Sequence, residues 1–524
     1  MTNHSTATSG KNETTPLIVG IDVGTTNIKA VVFDPTGRTI TQASVPTPTH
    51  YPQPNWAYYR PEELWQCTVK ALGQATSQLE ESDRIASVAV TSMGEAAVPL
   101  DSAGQALYEA IAWFDRRTLP QVEWLERTIG RERLFNITGL SLQPIFGLCK
   151  LLWIKENEPD IYARTVRWLN VADYIAYRLS GVPATDYSLA SRTMAMDLQR
   201  LQWAEELIRE VGLRPQIFAP LALSGTRLGA VTAEAAAATG LPASAQVGVG
   251  GHDHVCGALA VGVTKPGAGL NSMGTAEAIF LPLEQPLTDS AMGQQGYTQG
   301  AHVVADHYYV LAGLYTSGIC VDWLREMMGA EADYATLISE AERVLPGSLG
   351  VFFLPHLRLA SPPYDDPKGR GAFIGLSTDV KRGALFRAVL EGLAYETRHS
   401  LESVLAYPGM AALRHTYAIG GVTRNSLLMK IKATVLNQPV IVVDVAEATT
   451  LGAAILGGVG AGVYPDVSAA LTGLSYQQTA IEPAAAEVAF YDRAFHEVYQ
   501  QLYLSLRSLH HTIYELQNPN VTST

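Results

Sequence analysis

Apolar, β-branched runs flank a Gly24-Thr25-Thr26 turn, so Leu17–Asp34 reads as a buried strand, a tight turn and a second strand. Gly37 marks the next turn, and Thr39–Ser44 continues the pattern as a third strand. Apolar residues at helical spacing then predict a helix over Pro61–Leu79, where proline suits the first turn because its missing N–H is not needed there. A strand over Ile85–Thr91 follows, with helices over Leu119–Ile129, Phe146–Glu156 and Val171–Ser180. Strand and helix alternate, which is the mark of an α/β protein.

The second half restarts the pattern. Gln246–His254 is a strand running into a glycine turn, with a small-residue helix over Val255–Ala260. Gly269–Glu277 repeats strand, Gly-Thr turn, strand, and Tyr417–Asn425 is a strand, a Gly-Gly turn and the start of a helix. A boundary near Gly262–Pro266 gives two α/β domains, 17–262 and 263–516, around a cleft suited to a ligand. One long helix, Ala485–Leu516, closes the second domain. The polar ends, 1–16 and 517–524, read as tails.

Composition narrows the class. With 47% hydrophobic and only 17% charged residues in 524, the chain has enough apolar surface for large cores, which excludes general disorder. A net charge of −13 without Lys/Arg blocks argues against nucleic acid or a membrane surface as partner. Binding of ATP is compatible with that charge, since local backbone and metal hold phosphates. The N-terminus lacks an apolar signal segment, and Leu451–Tyr464 is broken by glycines and shorter than the ~20 residues of a span, so a cytoplasmic protein is expected. Cys67, Cys149, Cys256 and Cys320 are too scattered for zinc or a disulfide scaffold and read as reduced thiols.

Candidate chemistry lies in the turns. In Asp22-Val-Gly-Thr-Thr-Asn-Ile-Lys29, Gly24 admits an anion close to the backbone, and Thr25 and Thr26 add donors. Asp22 would repel a phosphate unless a cation such as Mg²⁺ stood between them. Gly274-Thr275 is a second such turn, and Gly420-Gly421 would let a flat base approach the backbone; each alone is equally a plain tight turn. Neither a Walker A loop nor a Rossmann fingerprint is present. Asp253, at a strand end, suits a general base for phosphoryl transfer, or else caps the next helix. Asp22 and Asp253 are the candidate metal holders. His252 and His254 lack a third ligand nearby, which disfavours zinc and leaves one of them to touch substrate or pack.

These segments, in this order, resemble the FGGY carbohydrate kinases, which share the actin and hexokinase type of ATPase fold. The likeness runs from Leu17 to Tyr503. It includes Ala110–Arg117, Thr138–Leu140, Thr185–Thr193, Gly369–Ser377, Glu391–Glu396 and Glu447–Ala454 besides the turns. The resemblance implies two actin-like, ribonuclease H-like domains, each a mixed sheet flanked by helices, with the active site between them. It makes Asp253 the base and Asp22 the Mg²⁺ carboxylate, with Gly24, Thr25, Thr26, Gly274 and Thr275 on the phosphates. Gly420, Gly421 and Asn425 fall where the family holds adenosine. Met93, Gly94, Glu95, Trp113 and Asp115 match substrate-contacting stretches, with His252 and Glu277 as further contacts; Trp113 alternatively packs in the core. The family likeness also suggests a homodimer.

Departures bear on the substrate. Glycerol kinases carry Arg-Glu where Gly94-Glu95 stands, removing one donor, and Tyr where Ile145 stands. Xylulose kinases carry Met-His-Gly where Met93-Gly94-Glu95 stands, and Arg358–Pro363 replaces a common Gly-Glu-Arg-Thr-Pro run. The expected activity is ATP-dependent phosphorylation of a small ketose or polyol. A catalytically silent sugar or nucleotide sensor and an actin-like or chaperone ATPase are the other readings of the same fold.

Overall fold

The computed structural model describes residues 15–329 and 333–518. The expected tails therefore lie mostly outside the described residues, while Gln517 still belongs to the last helix.

Two mixed sheets organise the chain. The first uses β1 (Leu17–Val23), β2 (Asn27–Phe33), β3 (Thr39–Pro46), β4 (Ile85–Ser92), β5 (Arg227–Ala230) and β6 (Gln246–His252), in the order β5-β6-β4-β1-β2-β3. β1 pairs antiparallel with β2 and parallel with β4, and the register sets Asp22 opposite Lys29 and Thr91. Helix α1 (Pro61–Thr76) packs Leu64, Ala71, Leu72 and Ala75, spaced for one helical face, over β2 and β3. Helix α2 (Asp253–Ala260) leaves the end of β6.

The second sheet runs β9-β10-β8-β7-β11-β12-β13. Its strands are β7 (Ala268–Met273), β8 (Glu277–Leu283), β9 (Thr298–Ala301), β10 (Tyr308–Leu314), β11 (His415–Ile419), β12 (Val440–Asp444) and β13 (Gln477–Ile481). From β3 to β5 the first sheet pairs antiparallel, antiparallel, parallel, parallel, antiparallel. From β10 to β13 the second repeats that sequence of pairings. Two copies of one topology are thus present, as the repeated hairpin turns predict.

The halves are interlocked. Helix α3 (Ala448–Gly460), from the second half of the chain, packs across β1, β4 and β6 of the first sheet and against α2. Val255, Ala258 and Leu259 of α2 share a core with Leu270, Phe280 and Ile419 of the second sheet. Small residues let the helices meet backbone to backbone: a Cβ on Gly452 would stand 1.9 Å from the carbonyl oxygen of Cys256.

Two elements differ from expectation. Helix α2 begins at Asp253, not Val255, because His252 takes the N-cap place and an acidic residue suits the first turn. The last helix is two, Ala485–Ala494 and Gln500–Gln517, joined by a π turn over Phe495–Tyr499. Phe495 and Tyr499 stack around Tyr395, and the Tyr499 hydroxyl donates to Glu396 at 2.8 Å, an anchoring the wider turn accommodates. The four cysteines are unpaired. Among the described residues no helix is long and apolar enough to cross a membrane.

Candidate functional site

At the ends of β4 and β6 lies a cavity of about 300 Å³. Its walls include Thr25, Met93, Gly94, Glu95, Trp113, His252 and Asp253 from the first half, and Ala276, Thr298 and Tyr315 from the second. The structure thus brings one phosphate-turn residue and most of the expected substrate residues to one place. A larger hollow of about 650 Å³, walled by Arg133, Trp203 and Phe218, contains none of them, so volume alone does not mark the site. Trp113 is exposed, not core-packed, and its Nε1 donates to Thr25 Oγ1 at 3.0 Å, tying the cavity to the first turn.

Asp253 opens α2, where the helix dipole favours a carboxylate. Its Oδ1 accepts the His254 N–H at 2.6 Å and stands 3.1 Å from His252 Nε2. Burial holds His252 down at about 3, so the ring is neutral. The His254 N–H engages Oδ1, and Oδ2 is the oxygen open to a ligand.

Asp22 sits at the end of β1 with its Oδ1 buried and without a hydrogen-bond partner. Burial, and then the facing charge of Asp253, push its carboxyl up to about 8, while Lys29 opposes the shift. A buried carboxylate of this kind suits a cation. Among the described residues no group of three or more His, Cys, Asp or Glu could hold a metal alone. One or two carboxylates completed by phosphate and water is the usual arrangement for Mg²⁺, and Asp22 with Asp253 fits it. Lys29 is bound to Glu447 at 2.9 Å, an ion pair that joins the first hairpin to the residue before α3.

In the first turn, Thr47 Oγ1 donates to Gly24 O and Thr47 N to Thr26 O, while Gly24 N donates to Asn27 O at 3.1 Å, so the N–H groups of Thr25 and Thr26 are the ones the turn offers an anion. The second turn is fixed from outside, as Ser317 N donates to Thr275 O and Gly318 N to Gly274 O. Beside it, a cavity of about 280 Å³ is walled by Gly318, Tyr334, Ile338, Gly421, Val422 and Asn425. Gly420 has φ +102°, and a Cβ there would stand 2.3 Å from Met273 O, whereas the space off Gly421 is open. Asn425 caps the following helix by accepting from Leu428 N at 3.1 Å.

Two expected substrate residues are placed elsewhere. Asp115 is buried against Arg117, with Nη2 at 2.7 Å, and accepts from Ala57 N at 2.6 Å. Glu277 is buried in a network, accepting from Lys432 Nζ at 2.5 Å, Thr397 Oγ1 at 2.7 Å and Ser317 Oγ at 3.1 Å. Neither lines the cavity.

Arg192, Gln143 and Tyr315 do line it, although no turn or motif marks them individually in the sequence. Arg192 lies within the segment Thr185–Thr193, next to its end, the one signal available. Asp365 accepts from Tyr315 at 2.9 Å and Gln143 at 3.5 Å, bridging the two halves at the cavity edge. Ser361, in the segment Arg358–Pro363, accepts from Tyr315 N at 3.3 Å.

Residues 17–260 match the FGGY family of carbohydrate kinases, N-terminal domain, and residues 269–461 match its C-terminal domain. A xylulose kinase of Bacillus subtilis is 27% identical over 94% of this chain and 97% of its own length. A glycerol kinase of Leifsonia xyli is 31% identical over 86% and 90%. A solved xylulose kinase from Rhodospirillum rubrum superposes with a TM-score of 0.86 at 29% identity, covering 94% of this chain and all of that one. With two copies of the actin-like topology around a cleft and both family domains matched in order, the chain belongs to the FGGY carbohydrate kinases and is a phosphotransferase enzyme.

Proposed function

We propose that the chain transfers the γ-phosphoryl group of ATP to a hydroxyl of a small ketose or polyol bound in the cavity beside Asp253. One observation carries the reading. A carboxylate with one oxygen held by the His254 N–H and the other free shares a 300 Å³ chamber with Glu95, Trp113 and the phosphate-turn residue Thr25. The names of the relatives, a xylulose kinase and a glycerol kinase, agree with an acceptor of this class.

The acceptor hydroxyl gives its proton to Asp253 Oδ2 as its oxygen bonds to the γ-phosphorus. The bond from that phosphorus to the β-phosphate oxygen breaks, and ADP leaves. Turn N–H groups at Thr25, Thr26 and Thr275 receive phosphate charge, with Gly24 and Gly274 shaping the turns, and the cavity at Gly421 and Asn425 takes the base. Asp22 and Asp253 would hold Mg²⁺, whose chemistry is to neutralise phosphate oxygens. The His254 N–H keeps Asp253 oriented, and neutral His252 beside it adds no competing positive charge. Closure of the halves on the cavity excludes water, which would otherwise compete as acceptor.

Asp253→Asn tests this. It keeps the shape and loses the base, so turnover falls about 10²–10⁴-fold while ADP binding, followed by calorimetry, is retained. Near-normal turnover would remove Asp253 from the role.

A further inference from the structure

Apart from its two histidines, the cavity wall contains one cationic side chain, Arg192, and that cation is already engaged. Its Nε and Nη2 both contact Glu95 Oε1, at 2.7 and 2.6 Å, and Nη1 reaches Thr298 Oγ1 at 3.3 Å. The guanidinium carbon stands 5.0 Å over the Phe146 ring, and the Arg192 and Glu95 side chains are 5% and 9% exposed. Behind the pair, fully buried Lys150 donates its Nζ to the carbonyls of Glu95 at 2.6 Å and Ile111 at 3.0 Å, which fixes the Glu95 backbone. Gly94 completes the arrangement, because a Cβ there would stand 2.6 Å from the His252 ring and 2.9 Å from Arg192 Cγ. The donor absent at position 94 is thus supplied from position 192, and glycine makes room for it.

We propose that the Glu95–Arg192 pair is the specificity-determining element of this cavity and selects an uncharged polyhydroxylated acceptor over the sugar acid of the same length. The inference rests on the kinase reading above and names the substrate class that site takes. Glu95 and Asp253 contribute two negative charges to the wall against the one positive charge of Arg192. A carboxylate on the ligand would meet two like charges, and the one guanidinium able to balance it already serves Glu95. A neutral polyol suits the same wall. Both contacts to Glu95 fall on Oε1, so Oε2 is available to accept from a ligand hydroxyl, and the remaining N–H groups of Arg192 can donate to another.

The test uses matched alditols and aldonates of four to six carbons, such as erythritol with erythronate and ribitol with ribonate, together with the related ketoses. Binding is followed by calorimetry and turnover by ADP release. The full-length enzyme is expected to prefer the neutral member by about 100-fold, since a polar site rejects ligands that leave its groups unpaired. Glu95→Gln keeps the shape and frees the guanidinium, so the ratio moves toward the acid by about 100-fold. Glu95→Gln/Arg192→Gln, with neither charge, loses that gain.

Equal binding of acid and alditol by the wild type, a ratio unchanged in folded Glu95→Gln, or no binding of any neutral compound overturns the proposal. Should Glu95→Gln not fold, Arg192→Lys decides. A lysine keeps the charge but cannot make both contacts to Oε1, so the KM for the best neutral acceptor rises about tenfold, and an unchanged KM overturns the assignment. Neutral-only binding without ADP release in any case would uphold the specificity and refute the kinase reading.

Discussion

Gly452→Ala puts the interlock of the two halves to a quantitative test. In a helix interior, glycine to alanine ordinarily stabilises by about 0.5–1 kcal/mol, because alanine loses less backbone entropy. Here the new Cβ stands 1.9 Å from the Cys256 carbonyl oxygen, where ordinary contact begins at 3.4 Å. The obstacle is backbone of α2, not the end of a flexible side chain. Helices α2 and α3 must part by about 1.5 Å, the difference between those distances, and a radial gap of even 0.5–1 Å forfeits a quarter to a half of each dispersion contact. The helix-propensity gain is outweighed, and a net loss of about 1–3 kcal/mol is expected. Gly257, on the facing helix, is the control. Its Cβ would meet nothing nearer than Thr449 Oγ1 at 3.6 Å, so Gly257→Ala gains about 0.5–1 kcal/mol. Urea unfolding followed by tryptophan fluorescence reads both variants, and turnover of Gly452→Ala should fall as well, since Asp253 opens the displaced helix. A Gly452→Ala enzyme as stable as the wild type would refute the close packing of α2 on α3.

Other outcomes follow from buried charge. Burial pushes Asp173 up to about 8, so the folded state binds a proton the unfolded state has released, and stability falls as pH rises from about 4 to 8. Asp173→Asn retains an acceptor for Asn170 and should flatten that slope, adding about 1–3 kcal/mol at pH 8 and little near pH 4; an unchanged slope in urea titrations would count against it. Lys432→Met strands Glu277 in the second core and should cost about 3–5 kcal/mol, whereas Glu277→Gln/Lys432→Met recovers most of the loss in thermal unfolding.

Much of the fold is legible in the sequence because its strands are short β-branched runs ended or interrupted by glycine, as at Leu17–Val23 and Gln246–His252. Bends imposed by partners distant in sequence are not. The π turn at Phe495–Tyr499 answers to Tyr395 and Glu396, and no local pattern in an amphipathic run announces it. The cavity follows the same division. Turn residues such as Thr25 and Asp253 are visible because glycine and acid stand together, whereas the direction of an isolated carboxylate is not. Asp115 and Glu277 sit in segments of the right character, yet Arg117 and Lys432 claim them for internal pairs. Position 94 reads as a lost donor until His252 and Arg192 are seen to fill the space.

The shared pairing scheme of the two sheets makes the halves near repeats of one another, and they differ in one telling place. Two residues before Gly24 stands Asp22; two residues before Gly274 stands Ser272. With an acid at both places, the two turns would form a near two-fold pair, and an elongated anion could enter either way round. A carboxylate on one side and a hydroxyl on the other give the cleft a head and a tail.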